Sequence, residues 1–387
     1  MGAEKRMILS LQTNTFGCYG GIPTYNRLVT RALNSGDLGN GNCVLVAMDD
    51  PSVIGPATAS HQRLRISAFG GKRTAFVRAA LNLALREQID LVLAGHVNYA
   101  PLCILLKILR PKMRIGVFVY GWEVWKQMPL LRRWSVQQAD FVISISDYTK
   151  SQAVQTNGVQ EQRAFILPNA LEWTNDISPS GVAHELPAGT KLLSVGRLDS
   201  TEQQKGFDTV IESLPAVIQR VPDVQYILIG VGSDLERHKA LASTVGVSDH
   251  VHFLGAVDEA MLQHCYRSCD LFVMPSAQEG FGFVYLEAMH YHKAVVAANS
   301  GGAPEVVEDH ITGRLVEYGN KEQLARALTD LLSDPDLRQH LGNAGYQKLQ
   351  EKFTFPQFMT TFAEILRGEL PAEWAEASFA PVNANNN

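Results

Sequence analysis

The chain has 387 residues, a length typical of two domains. Hydrophobic residues make up 46% of it and charged residues 19%, a balance that excludes a disordered or fibrous protein. The net charge of −5 is unevenly divided, because residues 1–185 carry 19 basic and 13 acidic side chains whereas residues 186–387 carry 15 and 26. The first half is therefore basic, and it is the half suited to an anionic partner.

Short apolar runs alternate with longer amphipathic segments along most of the chain, which predicts βα units around a parallel sheet. In the first half the predicted strands are 7–12, 43–48, 91–94, 114–119 and 141–146, and the predicted helices are 22–34, 72–88, 100–109, 129–138 and 147–157. In the second half the predicted strands are 191–195, 225–229, 251–254, 271–274 and 294–297, and the predicted helices are 206–220, 233–245, 258–268, 283–291 and 321–333. Because the pattern occurs twice, we expect two Rossmann-like, doubly wound α/β domains facing one another across a crevice.

Segment 168–181 is rich in Pro, Gly, Asn and Ser and interrupts the apolar pattern, which is typical of an interdomain linker. We therefore predict an N-terminal domain over 1–185 and a C-terminal domain over 186–355. An amphipathic helix near 356–368, within a final segment 356–370, is predicted to pack back on the N-terminal domain. Residues 371–387 are predicted to be a frayed tail.

No run approaches the ~20 apolar residues of a membrane-spanning helix, and residues 1–12 lack the apolar core of a secretory signal. We therefore expect a cytoplasmic protein. Its five cysteines lie mostly in apolar segments and are expected to be reduced: Cys18, Cys43, Cys103, Cys265 and Cys269. Cys265 and Cys269 are one helical turn apart, but two further ligands at zinc-like spacing do not accompany them, so packing is the favoured interpretation.

The most specific motif is PSAQEGFGFVYLEAM, at residues 275–289. A strand is predicted to end just before it and a helix to begin near Phe283, so free loop amides face a ligand there, which favours an anion. Glu279 and Glu287 are eight residues apart, and since carboxylates repel phosphate, they suit the hydroxyls of a sugar and a ribose. The alternative is two solvated acids near the start of a helix.

A second cluster, SVGRLDSTEQQKG at residues 194–206, follows the first predicted strand of the C-terminal half. Arg197 offers a planar fork of donors and Lys205 a point charge. Both suit a diphosphate bound at the mouth of a parallel sheet. Two ordinary surface cations are the alternative.

Three further candidates follow strands of the N-terminal half. Gly20 and Gly21 precede the first helix and allow the backbone to approach a ligand closely, although a tight turn would explain them too. His96 is predicted at the same sheet edge, with a structural histidine as the alternative. Tyr120 and Glu123, in the segment YGWEVW, are candidates for holding an acceptor sugar, and packing of the two tryptophans in the core explains that segment equally well.

These motifs resemble those of the retaining glycosyltransferases of family 4, which have the GT-B fold, and the resemblance extends over nearly the whole chain. It implies that Glu279 contacts the donor sugar and that Glu287 holds the nucleotide ribose. It also implies that Arg197 and Lys205 neutralise the leaving diphosphate.

The resemblance implies roles for the glycine-rich loops and the histidine as well. The loop amides of Gly280, Phe281, Gly282 and Phe283 would approach the sugar and diphosphate. Gly20 and Gly21 would lie against the donor phosphate and acceptor, and His96 would orient the donor sugar near its anomeric carbon. After Glu287 the sequence departs from the family, because His292 and Ala294 stand near positions where members often have Gly and Pro.

The activity implied is retaining, metal-independent transfer of a hexosyl unit from a nucleotide-sugar to a hydroxyl of a glycan or lipid-linked acceptor, in cell-surface polysaccharide or glycolipid synthesis. A UDP-sugar is favoured as donor and GDP-mannose is the second choice. No metal or other cofactor is expected, since no Asp-x-Asp motif follows a strand, and Asp334 and Asp336 are expected to cap a helix. The alternatives are a sugar-nucleotide epimerase or hydrolase of the same fold, and a non-catalytic partner subunit.

Residues 63–133 hold 13 basic residues against three acids, Glu87, Asp90 and Glu123. We expect the cations of helix 72–88 to face outward and to bring the N-terminal domain to an anionic membrane that carries the acceptor. Ordinary packing of the helix on its sheet is the alternative for its apolar face. Nucleic-acid binding is not expected, because the net charge is negative and no aromatic–basic motif accompanies the cations.

Overall fold

The computed structural model describes residues 7–17, 20–35, 42–51, 64–173 and 186–369. Cys18, Arg63, the second part of the predicted linker (174–181) and the predicted tail lie outside these residues. The chain divides into two compact units, one formed by Met1–Ala170 with Phe355–Asn387 and the other by Leu171–Thr354.

The described strands are all parallel to their neighbours. They are β1 (Met7–Gln12), β2 (Asn42–Ala47), β3 (Leu64–Ala68), β4 (Leu91–Ala94), β5 (Arg114–Val119), β6 (Phe141–Ser144), β7 (Ala164–Ile166), β8 (Lys191–Val195), β9 (Gln225–Ile229), β10 (Val251–Gly255), β11 (Leu271–Met274), β12 (Val295–Ala298) and β13 (Gly313–Val316).

The helices alternate with these strands. They are α1 (Gly21–Asn34), α2 (Arg73–Arg86), α3 (Ala100–Leu109), α4 (Trp122–Trp125), α5 (Leu130–Gln137), α6 (Asp147–Asn157), α7 (Phe207–Ile218), α8 (Leu235–Thr244), α9 (Glu259–Ser268), α10 (Phe283–His290), α11 (Ala303–Val306), α12 (Lys321–Ser333), α13 (Pro335–Lys352) and α14 (Phe355–Glu369).

Each unit contains one parallel sheet, with strand orders β3-β2-β1-β4-β5-β6-β7 and β10-β9-β8-β11-β12-β13. In both sheets the first strand of the unit lies beside the fourth, so the chain winds outward in two directions from that pair. This is the doubly wound topology, and ligands bind in open sheets of this kind outside the carboxyl ends of the two central strands. The predicted α/β class and the repetition of the pattern are confirmed.

The central strands are predominantly apolar because helices cover both faces of each sheet. All six residues of β1 and all four residues of β4 and of β11 are buried. The large buried side chains of the first unit include Tyr25, Phe76 and Phe118. Burial of such side chains contributes roughly 1.5–3 kcal/mol each, which makes these strands the rigid base of the loops that follow them.

Helix α14 packs in the first unit although it is distant in sequence. The ring of its Phe358 lies edge-on to Tyr25, 5.6 Å between centroids, and the Arg31 guanidinium lies 4.0 Å from the centroid of the Phe355 ring. The division between units falls at Ala170 rather than at residue 185, because the amide of Leu171 donates to the Phe353 carbonyl (2.9 Å) inside the second unit.

Three strands are absent from the sequence-based predictions: β3, β7 and β13. Each lies at the edge of its sheet and pairs on one side only. An edge strand does not need the continuous apolar run of a central strand. In β3, for example, Leu64 is buried but Arg65 is exposed. Helix α13 is also absent from the predictions, and the expected capping role of Asp334 is confirmed, because its carboxylate accepts the Leu337 amide at the start of that helix (2.9 Å).

The described cysteines and helices test two expectations from the sequence, that the cysteines pack in the core and that no helix spans a membrane. Cys103, Cys265 and Cys269 are free and buried, and burial raises the pKa of all three thiols. Packing is therefore the role of Cys265 and Cys269, as predicted. Among the described helices, none combines the length and apolar character needed to cross a membrane.

Candidate active site

In the second unit, the loops that follow β8 and β11 are bonded to each other. These strands are neighbours at the switch point of the sheet. The amide of Ala277, after β11, donates to the carbonyl of Gln204, after β8 (2.8 Å). Gly206 has φ +81° and approaches so closely that a β-carbon there would lie 2.3 Å from the Pro275 carbonyl oxygen. Only glycine accommodates this contact, so the two loops are held in one arrangement.

The loop after β12 supports the same site. The Ser300 hydroxyl donates to the Ala277 carbonyl (2.6 Å), and the Gly302 amide donates to the Glu279 carbonyl (2.8 Å). Gly301 has φ +60°, and a β-carbon there would lie 2.4 Å from the same Glu279 oxygen. The backbone that carries Glu279 is therefore fixed by the neighbouring loop.

Lys205 and Glu279, 74 residues apart in sequence, form an ion pair in this site, with 3.4 Å between Nζ and Oε2. Their side chains are 22% and 15% exposed, so the pair is largely shielded but still reachable by a ligand. A charge-assisted bond of ideal strength is about 2.7–2.9 Å long. The observed distance is longer, and a competing anion can therefore take the lysine at small cost.

Arg197 follows β8 and stands at the same loop cluster. Its guanidinium is largely exposed and pairs with the Glu202 carboxylate within its own loop. An exposed pair of this kind contributes about 0–1 kcal/mol. The guanidinium can therefore exchange Glu202 for a phosphate group without a large cost.

The start of α10 is the anion-binding element predicted from the sequence. Gly282, with φ +99°, precedes the helix, and no side chain caps it. The amides of the first turn thus have no side-chain acceptor, and the positive end of the helix dipole is open. The Phe281 side chain is buried and lies edge-on to Phe353, 5.3 Å between centroids, so any contact of this residue with a ligand is made by its backbone.

Glu287 lies within α10 and has a partner that the sequence gives no signal for. The hydroxyl of Tyr266, on α9, donates to its carboxylate (2.7 Å). Burial raises the pKa of Glu287 to about 7; the Tyr266 bond opposes this rise, and the charge of Glu259 adds to it. This carboxyl group is therefore about half ionised near neutral pH.

The end of α10 shows how the chain manages without the glycine common in the family. His292 has φ +55°, a left-handed conformation that is unusual for a residue other than glycine. Its ring stacks on Tyr346, 4.0 Å between centroids, and its Nδ1 lies 2.8 Å from the Asn343 side-chain oxygen. These contacts with α13 offset the strain and terminate the helix.

In the first unit, the glycine loop after β1 is held by a buried carboxylate. Asp50, which is fully buried, accepts hydrogen bonds from the amides of Thr15, Phe16 and Gly17 at 2.7–3.0 Å. Gly20 has φ +143° and precedes α1, which begins at Gly21. Asp50 is absent from the sequence-based candidates, since nothing near it in sequence marks it as the partner of this loop.

His96 follows β4, the strand that pairs with β1, so it and the glycine loop leave neighbouring strands at the switch point. Its Nδ1 accepts the Asn98 amide (3.2 Å), which leaves Nε2 as the ring donor. Burial lowers the pKa of His96. The charge of Glu123 opposes this decrease, and the charge of Arg132 adds to it. At neutral pH the ring is therefore an uncharged donor.

Tyr120 and Glu123 lie beside His96 at the end of β5. The Tyr120 ring stacks on that of His96 with 6.3 Å between centroids, and its hydroxyl donates to the Gly95 carbonyl (3.0 Å). The Glu123 carboxylate accepts the Tyr120 amide (2.5 Å). Both side chains thus already hold the loops around His96. Of the two tryptophans in this segment, Trp122 is 57% exposed and Trp125 is partly buried.

The cations of α2 face outward, since Lys72, Arg73, Arg78 and Arg86 are all exposed. Its Phe76, Ala80 and Ala84 are buried in the core of the unit. Apart from Leu85, which is 62% exposed, the apolar face of α2 therefore packs on the protein, in agreement with the alternative interpretation of that helix. Among the described residues no group of three metal-binding side chains is found.

Each unit therefore gathers part of the predicted set at its own switch point. Lys205 and Glu279 are paired in the second unit, and His96 and Gly20 follow adjacent strands in the first. This is the organisation of the GT-B glycosyltransferases, in which two Rossmann-like domains act on a nucleotide-sugar.

The chain is a nucleotide-sugar-dependent glycosyltransferase, and it belongs to glycosyltransferase family 4. Residues 185–348 match the family model described as "Glycosyl transferases group 1", and residues 19–172 match the model "Glycosyltransferase Family 4". The resemblance stated from the motifs is thus confirmed.

The relatives with high similarity include mycobacterial mannosyltransferases. A GDP-mannose-dependent alpha-(1-6)-phosphatidylinositol monomannoside mannosyltransferase from Mycobacterium tuberculosis is 31% identical over 285 residues, covering 68% of this chain and 74% of that protein. The protein of the same description from Mycolicibacterium smegmatis is 31% identical over 296 residues, covering 71% and 76%.

Solved structures share the fold at lower identity. Anabaena HepE in complex with UDP superimposes with a TM-score of 0.74 at 21% identity, covering 93% of this chain and 99% of that chain. Sucrose-phosphate synthase from Thermosynechococcus elongatus gives a TM-score of 0.76 at 21% identity, covering 94% and 99%. The GT-B fold is confirmed by these comparisons.

Proposed function

We propose that this protein transfers a mannosyl unit from GDP-mannose to a hydroxyl of a lipid-linked acceptor, with retention of configuration and without a metal ion. The observation that carries the proposal is the Lys205–Glu279 pair, held by three loops beside the uncapped start of α10. Such a site suits a diphosphate attached to a sugar, since cations and amides bind the phosphates and a carboxylate accepts sugar hydroxyls.

The choice of GDP-mannose rests on the relatives. The two mycobacterial proteins, which are 31% identical to this chain over most of its length, are described as GDP-mannose-dependent. HepE, which binds UDP, is 21% identical. The UDP-sugar favoured on the motifs alone is therefore placed second, as the donor to test against GDP-mannose.

In the proposed reaction the diphosphate leaves from the anomeric carbon and takes negative charge. Arg197, Lys205 and the first amides of α10 stabilise that charge, and they do so without reorganisation because their loops are fixed. Glu279 accepts hydroxyls of the donor sugar and Glu287 those of the ribose. The neutral His96 donates from Nε2 to the sugar.

The departing diphosphate accepts the proton of the attacking hydroxyl on the same face of the sugar, so no protein nucleophile is needed. The bond to the diphosphate breaks as the bond to the acceptor oxygen forms, and the anomeric configuration is retained. Nuclear magnetic resonance of the product would report its configuration, and an inverted product would contradict this step.

Variants of the site test the proposal. We expect Arg197→Ala and Glu279→Gln each to lower kcat/KM by at least about tenfold, a barrier change of roughly 1.4 kcal/mol. Arg220→Ala and Glu236→Gln are matched controls, since both side chains are exposed in the same unit, and they should leave turnover unchanged. Site variants that turn over like their controls would exclude these residues from the site.

The donor and the metal requirement are tested with the unmodified protein. GDP-mannose, UDP-glucose and UDP-N-acetylglucosamine are offered in turn, and slow hydrolysis of each is followed by mass spectrometry. Hydrolysis of GDP-mannose in preference to the others supports the proposed donor, and preference for a UDP-sugar overturns it. Transfer should continue in the presence of a chelator; activity lost there and restored by a divalent ion would contradict metal independence.

The lipid acceptor is supported by the same relatives, whose described substrate is a phosphatidylinositol mannoside. We propose that the cations of segment 63–133 hold the first unit at an anionic membrane surface that carries this acceptor. Transfer to phosphatidylinositol monomannoside, compared with a water-soluble mannoside, measures whether the lipid part is recognised. Equal kcat/KM on the two would count against a lipid-linked acceptor.

A further inference from the structure

Helix α3 leaves an apolar face uncovered. Lys107 is its only charged residue, and a helix that is apolar all round is ordinarily buried all round. One side of α3 is indeed buried in the first unit, through Cys103 and Leu106. On the other side Leu105 and Ile108, three residues apart, are 44% and 70% exposed. These two side chains share one face of the helix.

Helix α5, which packs against α3, also carries exposed apolar side chains. Its Leu130 and Leu131 are 76% and 63% exposed, and Trp134 is 49% exposed. Only Ser135 and Val136 of this helix are buried. We call the exposed apolar residues of the two helices the α3–α5 face: Leu105, Ile108, Leu109, Leu130, Leu131 and Trp134.

Cations surround the α3–α5 face. Arg132 and Arg133 lie within α5, and neither forms an ion pair with the residues that the structure describes. Lys112 is exposed just beyond α3, and the Lys126 ammonium lies 4.5 Å from the ring centroid of Trp122. From residue 100 to 139 the only acid is Glu123, whose carboxylate is held by the Tyr120 amide.

This surface lies close to Tyr120 and Glu123, the candidates from the sequence for holding the acceptor. Trp122, itself 57% exposed, is two residues after Tyr120, whose ring stacks on His96. Helix α5, which carries Arg132, also contacts residues 97–99, which directly follow His96. A lipid whose acyl chains meet the α3–α5 face can therefore have its polar head near His96.

We propose that the α3–α5 face is a membrane-docking surface that inserts its leucines and tryptophan into the interface of an anionic lipid bilayer. Arg132 and Arg133 then lie at the level of the lipid phosphates. The combination of exposed aliphatic and tryptophan side chains with unopposed cations is the chemistry of interfacial membrane binding. A symmetric dimer through this face is disfavoured, because it would bring like cations of the two copies together.

This inference rests on the proposed lipid-linked acceptor. It moves the docking surface from α2, where Leu85 is the one large apolar side chain that is mostly exposed, to α3 and α5. The sequence indicated only cations near the membrane, whereas the α3–α5 face also has apolar side chains that enter the bilayer. Substitution of the cations and substitution of the apolar side chains should therefore have different effects on vesicle binding.

Sedimentation of the full chain with vesicles tests the proposal. Vesicles of phosphatidylcholine alone are compared with vesicles that also contain phosphatidylglycerol, and we expect binding to the second to be stronger. Arg132→Gln with Arg133→Gln should lower the partition coefficient on anionic vesicles by roughly fivefold for each cation removed. On phosphatidylcholine alone the same pair of substitutions should have little effect.

Leu130→Gln with Leu131→Gln should weaken binding to both vesicle types by at least about tenfold, since apolar contact is lost in either case. Ile108→Gln, on the other helix, is an independent second variant. Ile311→Gln is the matched control, because Ile311 is 55% exposed in the second unit, and it should bind like the unmodified protein. Circular dichroism melting of every variant checks that it is folded.

Several results would overturn the inference. The first is equal sedimentation of the protein with the two vesicle types. The second is vesicle binding by the leucine and Ile108 variants that is as strong as that of the Ile311 control. The third is light scattering that shows a dimer, which the two leucine substitutions convert to a monomer. The last result would assign the face to a second copy of the chain. Donor hydrolysis in the absence of lipid should be unchanged in the leucine variant, so failure of docking is separable from failure of the proposed reaction.

Discussion

The titration of Glu287 gives a prediction that connects α9 to donor binding. Burial raises the pKa of this carboxyl to about 7, and the Tyr266 hydroxyl bond holds it from rising further. An ionised carboxylate accepts hydrogen bonds from two ribose hydroxyls, whereas the protonated group has lost part of that capacity. We therefore expect the donor to bind the ionised form, so that KM for the donor falls as the pH rises through neutrality.

The expected size follows from the fraction ionised. With the pKa at about 7, roughly one tenth of the groups are ionised at about pH 6 and nine tenths at about pH 8, so KM should fall by close to tenfold across that interval. A hydrogen bond to a charged group contributes about 1.5–3 kcal/mol, and 1.36 kcal/mol corresponds to one pKa unit. Tyr266→Phe should therefore raise the pKa by about 1–2 units and shift the fall in KM upward by the same amount.

The assay is steady-state transfer at a series of pH values with a nucleotide-sugar, whose diphosphate diester does not titrate in this range. Glu259→Gln is a control of opposite sign, because the charge of Glu259 raises the Glu287 pKa and its removal should shift the transition downward. The titration of His96 lies on the acid side, since burial lowers its pKa. A transition that persists unchanged in Glu287→Gln would refute this reasoning.

Three further predictions concern the supports of the site. Asp50→Asn weakens the charge-assisted hydrogen bonds to three loop amides and should lower the free energy of unfolding by about 1–3 kcal/mol, measured with denaturant. An unchanged midpoint of the denaturant unfolding curve would show that the carboxylate charge is not needed. Gly206→Ala places a β-carbon 2.3 Å from the Pro275 oxygen and should lower kcat/KM together with Tm, because Lys205 moves with its loop; a variant with unaltered kinetics would contradict this. Both His292→Ala and His292→Gly lose the contacts with Tyr346 and Asn343, but only alanine keeps the strain of the left-handed conformation. The alanine variant should therefore be less stable than the glycine variant by about 1 kcal/mol, measured by calorimetry. A more stable alanine variant would contradict the presence of that strain.

The Lys205–Glu279 pair has a consequence for how the donor is bound. Before donor binding each charge is neutralised by the other at 3.4 Å, so neither is left unpaired in a partly buried position. A nucleotide-sugar offers phosphate to the lysine and hydroxyls to the glutamate, and so replaces one pairing by two. The site is therefore arranged in advance of the ligand, which is the condition for electrostatic stabilisation without reorganisation.

Much of the fold follows from the sequence because the central strands are buried on both faces. The runs that become β4 and β11 are apolar throughout and β1 is interrupted only by Ser10 before its last residue, Gln12, which distinguishes these strands from the amphipathic helices between them. Of the edge strands, β10 is predicted but β3, β7 and β13 are not, because β3 and β13 are interrupted by an arginine and β7 has only three residues. The motif residues Arg197, Lys205, Glu279 and Glu287 are evident from their spacing and from the family they resemble.

What the tertiary structure alone decided is which distant residues meet. Asp50 contacts the loop after β1, and Tyr266 contacts Glu287, through packing between elements that no local pattern relates. Helix α3 is the clearest case, because Lys107 is its only charged residue and its sequence by itself indicates a largely buried helix. The periodicity of a sequence indicates which side chains share a face of a helix. Only the positions of the neighbouring elements determine which of those faces remain exposed.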